Sequence, residues 1–341
     1  MRRLLAVVAA AALPLLASAY TYTVTVTEKR DVPALSIKNA AGSGYSPCTF
    51  TFNPAWLDAH PPGLNKSLLI VRASGCPAAF GGAEDHLLAA YCSSDGTCED
   101  LMPSPFPFEA DAQDPRVFWN PLDQMYYLYY FANGVGQATV FLRRTATPLD
   151  GASWEHVAGP LPWHRNGCVI LRPNGLNYVI WGETSAVGIG ISTTKDFVSY
   201  TTLNSTWLEP YGPTAFPDAP EVVLEAAATP NTLSTGDYLH IYAAGTPGWV
   251  ANGNYTGGFI ILDKNDPTKI IQRGTYHPFM PTMDYEIGNA GPNPRGYPVQ
   301  RNRTLFVTSL VPVPGQVDTF RAWWGAADAN VATGIVTVTY S

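Results

Sequence analysis

QMYYLYYFANG, residues 124–134, is the stretch on which the fold turns. A polar turn leads into an apolar and aromatic strand, which leaves through small residues. The pattern returns as KSLLIVRASG at 66–75, LNYVIWGETS at 176–185, GDYLHIYAAGT at 236–246 and RTLFVTSLV at 303–311. A spacing of roughly 50 to 70 residues suits one four-stranded propeller blade with generous loops. Each copy follows another strand-like segment, at 48–57, 114–119, 167–172, 221–228 and 298–301. Five copies fill the chain without a linker. The reading is therefore an all-β, five-bladed β-propeller of four-stranded blades, one domain over residues 20–341. The innermost strand of each blade then lines a central channel, and residues at its mouth converge from all five blades.

The two ends fit this scheme. YTYTVTVT at 20–27 and ATGIVTVTY at 332–340 both alternate cleanly and would expose edges if left alone, so they are expected to pair. No long window carries apolar residues at three-and-four spacing, so helices should be short or absent. Only 14% of residues are charged while 12% are aromatic, a balance that favours strands and offers faces for sugar stacking. Trp154, Trp163, Trp181, Trp249, Trp323 and Trp324 are candidate platforms, with core packing the default for any one of them.

The compartment is read from the first nineteen residues. Arg2 and Arg3, an apolar run from Leu4 to Leu16, and Ala17-Ser18-Ala19 form a secretory signal peptide too short to span a bilayer. Secretion agrees with sequons at Asn65, Asn204, Asn254 and Asn302, which mark glycosylated surface loops. Of five cysteines, Cys92–Cys98 is the favoured disulfide, Cys48–Cys76 the second, and Cys168 is left free. No spacing implies zinc, no cofactor is called for, and no later stretch would span a membrane. A formal charge of −7 without a Lys/Arg cluster argues against nucleic acid as a partner.

Cleaving a glycosidic bond takes one protonated carboxyl at the leaving oxygen and a second carboxylate that attacks or activates water. Asp114, in Gln113-Asp114-Pro115-Arg116, opens the inner strand of the second blade and is the leading acid. Pro115 should hold it extended, and Arg116, at the same strand parity, could orient a carboxylate. Glu225 and Glu286 are the leading candidates for the base and Glu183 the third. Glu225 stands on a presumed inner strand beside small alanines that leave room for a ligand. His164 and His277 could reach the rim but are weaker candidates.

These segments resemble glycoside hydrolase family 130, the mannosyl phosphorylases and β-1,2-mannosidases, from about Thr51 to Val336. Asn53-Pro54 and Arg72 are similar to the family's first-blade Asn-Pro and Arg, which the resemblance makes sugar contacts. Asp114-Pro115-Arg116 is similar to its Glu-Asp-Pro-Arg motif, whose Asp is the proton donor, with Gln113 in place of Glu. STTKDF at 192–197, GGFIILDKNDPTK at 257–269, PTMDYEIG at 281–288 and Trp324-Gly-Ala-Ala-Asp328 also resemble family segments. Asp328 is read as binding a sugar hydroxyl or bracing a neighbour.

Two departures bear on the reaction. The family's phosphorylases hold phosphate with basic residues in the third and fourth blades. Here Tyr178-Val-Ile-Trp181-Gly182-Glu183 and Val222-Val223-Leu224-Glu225 stand instead, and carboxylates there would repel phosphate, with Arg165 and Arg172 as partial substitutes. The implied activity is exo-acting, inverting hydrolysis of β-mannosides on external oligosaccharides or glycans. A β-mannoside phosphorylase, a catalytically silent carbohydrate-binding propeller, and an arabinofuranosidase- or xylosidase-like enzyme stay open as alternatives.

Overall fold

The computed structural model describes residues 20–80, 84–103, 106–109, 111–134, 137–163, 165–182, 188–212, 220–247 and 254–341. The signal segment, His164, Glu183 and Trp249 lie outside these residues.

The chain is a five-bladed propeller, almost all strand. Strand β1 (Tyr22–Thr27) and the short β2 (Leu35–Ser36) and β3 (Gly44–Tyr45) come first. Blade I is β4 (Phe50–Leu57), β5 (Leu68–Ser74) and β6 (Asp85–Tyr91). Blade II is β7 (Gln113–Asn120), β8 (Met125–Gly134), β9 (Gln137–Thr145) and β10 (Glu155–Ala158). Blade III is β11 (Arg165–Ile170), β12 (Asn177–Gly182), β13 (Ile189–Thr194) and β14 (Tyr200–Leu208). Blade IV is β15 (Val223–Ala226), β17 (Tyr238–Gly245), β18 (Tyr255–Leu262) and β19 (Ile270–Arg273), with β16 (Asn231–Thr232) pairing β17. Blade V is β20 (Leu305–Pro312), β21 (Thr319–Ala326) and β22 (Asn330–Tyr340), closed by β1. One turn of helix, α1 (Asp284–Ile287), precedes blade V. The inner strands β20, β4, β7, β11 and β15 contact one another in succession around the axis.

Ring closure follows the sequence expectation. β1 pairs antiparallel with β22 from Tyr22↔Tyr340 to Thr27↔Ile335. The outer edge of β1 is capped by side chains of blade IV: Gln272 donates to the Tyr22 carbonyl and accepts from its N–H, and the Tyr276 hydroxyl does the same at Val24. An edge strand that would otherwise template aggregation is thereby satisfied.

Two expectations are corrected. RTLFVTSLV is the inner strand of blade V rather than its second, and 298–301 is not a strand. Instead the N–H groups of Gln300 and Arg301 both donate to the Ala327 carbonyl, so that segment clasps the β21–β22 turn. Blade I has three paired strands, not four. Its outer place is taken by an irregular run after the Cys92–Cys98 bridge, where Glu99, Met102 and Phe106 donate to the carbonyls of Tyr91, Ala89 and Leu87. Cys48–Cys76 is the second disulfide, and Cys168 is free and buried. Trp154, Trp163, Trp181, Trp323 and Trp324 are all core residues.

Closure predicts a large penalty for a charge on β1. Val24 is 1% exposed, so Val24→Asp buries an unpaired carboxylate and should cost 3 kcal/mol or more, an order-of-magnitude figure for such groups. Equilibrium urea unfolding measures it; a loss under about 1 kcal/mol would mean the ring does not depend on β1.

Candidate active site

Three inner strands repeat one local device. Pairing shifts by a bulge between Phe52 and Ala55, between Gln113 and Arg116, and between Arg165 and Cys168. At each bulge an Asn or Asp is left-handed: Asn53 at φ 49°, Asp114 at φ 51° and Asn166 at φ 60°. Asn and Asp tolerate this region better than other side-chain-bearing residues, and a bulge re-aims side chains. Pro115 therefore does not hold Asp114 extended. The bulge also breaks the parity that would have put Arg116 beside Asp114.

One cavity, of about 210 Å³, opens at this end of the axis and is lined from all five blades. It collects Asn53 and Arg72 from blade I, Asp114 from II, Arg165 from III, Glu225 and Tyr255 from IV, and Arg301 and Asp328 from V. Asp114 lies at its centre. Its Oδ1 accepts from Asn53 Nδ2 at 2.7 Å and from Arg72 Nη1 at 3.4 Å, and its Oδ2 from Arg165 Nη1 at 2.5 Å. Burial alone would raise this carboxyl. Arg72, Arg165 and Arg116 together outweigh burial, with help from the Asn53 bond, and hold it well below the usual carboxylate range.

A further layer fixes the arginines. Asp85 binds Arg72 through both oxygens, at 3.0 Å each, and accepts from Gln113 Nε2 at 2.8 Å. Arg72 also covers the Phe52 ring at 4.8 Å and Arg165 the Phe131 ring at 4.3 Å. Two glycines leave room for Asn53 and for the backbone at Glu225. A Cβ on Gly325 would stand 2.3 Å from Asn53 Oδ1, and one on Gly182 would stand 2.9 Å from the Glu225 Cα.

Glu225 reaches the cavity from β15, where its Oε1 accepts the Tyr255 hydroxyl at 3.0 Å. Asp328 arrives on the β21–β22 turn, in which Ala327 (φ 54°) and Asp328 (φ 47°) are consecutively left-handed. Left-handed alanine is strained, and such strain at a site persists only when the surroundings impose it. Here Thr304 and the 300–301 segment grip both sides of the Ala327 peptide. The Asp328 side chain keeps 18% exposure and lies 3.5 Å from Arg301. Burial pushes its carboxyl up to about 6, with the Asp114 charge adding and Arg301, Arg72 and Arg165 opposing.

Other candidates fall elsewhere. Glu286 is fully buried behind blade V and committed to structure. It pairs with Lys29 at 2.9 Å, accepts Trp324 Nε1, and takes the N–H groups of Thr282 and Met283 at the start of α1. Arg116 is 1% exposed, and its Nε donates to the Ala227 carbonyl at 2.5 Å beneath the cavity. Arg172 donates to the Lys264 and Asn265 carbonyls, away from the site. Sequence reasoning passed over Tyr255, Asp85, Arg301 and Asn166. For Asn166 the signal existed: Asn53-Pro54, Asp114-Pro115 and Asn166-Gly167 occupy equivalent bulges. Neither polar atom of the Asn166 amide has a partner among the described residues, although the residue is 1% exposed.

Comparison with solved structures fits this geometry. A structure from work on mannoside phosphorylases of the GH130 family, reported to contain glycoside hydrolases that target β-1,2-mannosidic linkages in Candida mannan, superposes with a TM-score of 0.68. That match is 18% identical and covers 95% of each chain. This is the fold of the glycoside hydrolase family 130 propellers. The β-1,2-mannobiose phosphorylase of Listeria innocua matches at TM-score 0.64 and 17% identity, covering 84% of this chain and 89% of its own. A glycosyl hydrolase from Bacteroides ovatus matches at 0.63 and 16%, covering 84% of each. No family model and no curated protein matches the sequence.

The raised Asp328 carboxyl carries a pH signature. Its folded form binds the proton more tightly than the unfolded chain, whose Asp titrates near ~4. The stability it contributes is present below that pH and is lost as pH rises through about 6. Asp328→Asn has no such proton, so it should gain on the wild type between pH 4 and 7 by about 2–3 kcal/mol. Denaturant titrations at the two pH values test this; a pH-independent difference would refute the shift.

Proposed function

We propose that the protein is a secreted glycoside hydrolase that removes terminal β-mannosyl units by inversion, with Asp114 as acid and Glu225 as base. The observation that carries this reading is the convergence of Asp114, Glu225 and Asp328 in one cavity at the axial mouth. The cavity is smaller than the roughly 300–1,000 Å³ of sites for drug-sized ligands, which suits a single sugar ring and hence a chain end. Support for β-mannosides comes from the sequence resemblance and from the activities named for the matching propellers.

In this mechanism Glu225 takes a proton from water as the water oxygen attacks the anomeric carbon. The glycosidic C–O bond breaks, and Asp114 hands its proton to the leaving oxygen. The empty cavity holds Asp114 ionised, so the acid role requires substrate to displace an arginine. Arg165, whose side chain is 26% exposed, is the accessible one. Hydrolysis is preferred to phosphorolysis because Glu225 adds a carboxylate to the cavity wall and Arg72 is already held by Asp85 and Asp114.

The electrostatics favour a second assignment within the same reaction. Asp328, its carboxyl pushed up to about 6, keeps its proton to a higher pH than Asp114, and an ionised Asp114 would then stabilise the positive charge that develops on the sugar.

The test is turnover of β-1,2-mannobiose with and without phosphate, with product anomer followed by NMR. Asp114→Asn and Glu225→Gln should each lower kcat on the order of 10²-fold or more, with azide restoring part of the Glu225→Gln rate. Wild-type rates in Asp114→Asn with collapse in Asp328→Asn would move the acid to Asp328. Phosphate-dependent turnover would make the protein a phosphorylase, and binding without turnover a lectin-like propeller.

A further inference from the structure

Blade IV contains a second polar cluster that does not line the cavity. Glu221, four residues before Glu225, is buried and accepts four hydrogen bonds. Its Oε1 takes Tyr242 OH at 2.8 Å and His277 Nε2 at 2.9 Å. Its Oε2 takes the Tyr211 N–H at 2.7 Å and Arg273 Nη2. Burial would raise this carboxyl, but His277, Arg273, the Tyr211 N–H and Tyr242 outweigh it and keep it ionised. His277 must therefore donate from Nε2, which turns its Nδ1 to the Thr256 hydroxyl, 2.8 Å away.

Thr256 follows Tyr255 directly on β18. A chain of three side chains thus runs from Glu221, two residues before β15, to the strand that carries Tyr255, behind the cavity. On the cavity side the same two strands are joined by the Tyr255–Glu225 bond. Between them lies β17, where Glu225 pairs with Ala243, Ala243 with Gly257, and Gly245 with Tyr255. Cross-strand partners share a face, so only small side chains stand under the Tyr255–Glu225 reach. On that face β17 presents only Ala243 and Gly245, and the Tyr255–Glu225 bond joins β15 to β18 across them. Behind it, the chain through His277, together with Tyr242 of β17, ties Glu221 to the same sheet.

We propose that Glu221, His277 and Thr256 form a positioning relay that sets the Tyr255–Glu225 hydrogen bond and so aims the base. The inference rests on the hydrolase reading for its kinetic consequence, but the geometric claim stands apart from it. A carboxylate displaced by about 1 Å can cost on the order of 10²-fold in rate, so a residue without substrate contact can still govern kcat.

Thr256→Val removes the hydroxyl at nearly constant shape, and Thr256→Ser keeps it. Because Thr256→Val also removes the Asn254 sequon, Asn254→Gln, which removes the sequon and keeps the hydroxyl, is the reference against which its rate is read. With β-1,2-mannobiose as substrate, Thr256→Val should lose between about 10- and 100-fold in kcat at unchanged KM, and Thr256→Ser should restore the rate. Wild-type kcat in Thr256→Val, or an equal loss in Thr256→Ser, overturns the relay. If the wild type turns over neither β-1,2-mannobiose nor an aryl β-mannoside, the hydrolase reading falls. Crystal structures of wild type and Thr256→Val then decide the geometry. A Tyr255–Glu225 bond lost in the variant upholds the relay, and one unchanged from 3.0 Å refutes it.

Discussion

A ring of blades leaves only short outer edges, and here its last sheet is completed by β1 from the other end of the fold. That constraint governs the molecule. β1 is laid on β22 over six residue pairs, and blade V packs on β4 of blade I through β20, β21 and β22, so the inner strands succeed one another around the axis. The site inherits the dependence. Its acids come from blades II, IV and V, so no single sheet contains them, and their mutual placement is a property of the closed ring.

Within that ring the electrostatics of Asp114 are unusual for a buried carboxylate. Taking one out of water costs several kcal/mol by order of magnitude, and this cost is offset only by good partners. Asn53, Arg72 and Arg165 supply them, and Asp85 in turn holds Arg72. At Asp328 burial prevails over Arg301, 3.5 Å away, and the Asp114 charge adds to it, so its shift is of the opposite sign. Two carboxyls in one cavity with shifts of opposite sign are the arrangement in which one donates a proton while the other stays charged.

How far the sequence spoke differs between the fold and the site. Aromatic strands at blade spacing identified the blades, and the alternating termini identified the seam, because both signals are local in the chain. RTLFVTSLV was misplaced within its blade because an inner and a second strand have the same local chemistry. Asp114 and Glu225, singled out by type and neighbours, both reach the cavity. Glu286 looked equally acidic in sequence, yet Lys29, from the other end of the chain, and Trp324 claim it. Parity does not carry past the bulge at Arg116, which meets Asp114 only as a nearby charge while its hydrogen bonds go to the Ala227 and Pro115 carbonyls. Asn166 shows that three weak dipeptides in equivalent bulges say more together than one strong motif.

The exchange of Glu for Gln at position 113 is best understood through charge. A carboxylate there would stand beside Asp85, to which Gln113 now donates, and would add a like charge close to Asp114. The amide instead bridges, giving a hydrogen to Asp85 and facing Arg165 with its oxygen at 3.5 Å. Asp85 meanwhile provides the bidentate carboxylate that holds Arg72 at Asp114. The local count of charges thus stays balanced: two arginines against Asp85 and Asp114, joined through a neutral side chain. Gln113 therefore leaves the clamp on Asp114 intact and puts no further negative charge beside it, so what reads in sequence as a lost acid is, in the fold, a neutral bridge between Asp85 and Arg165.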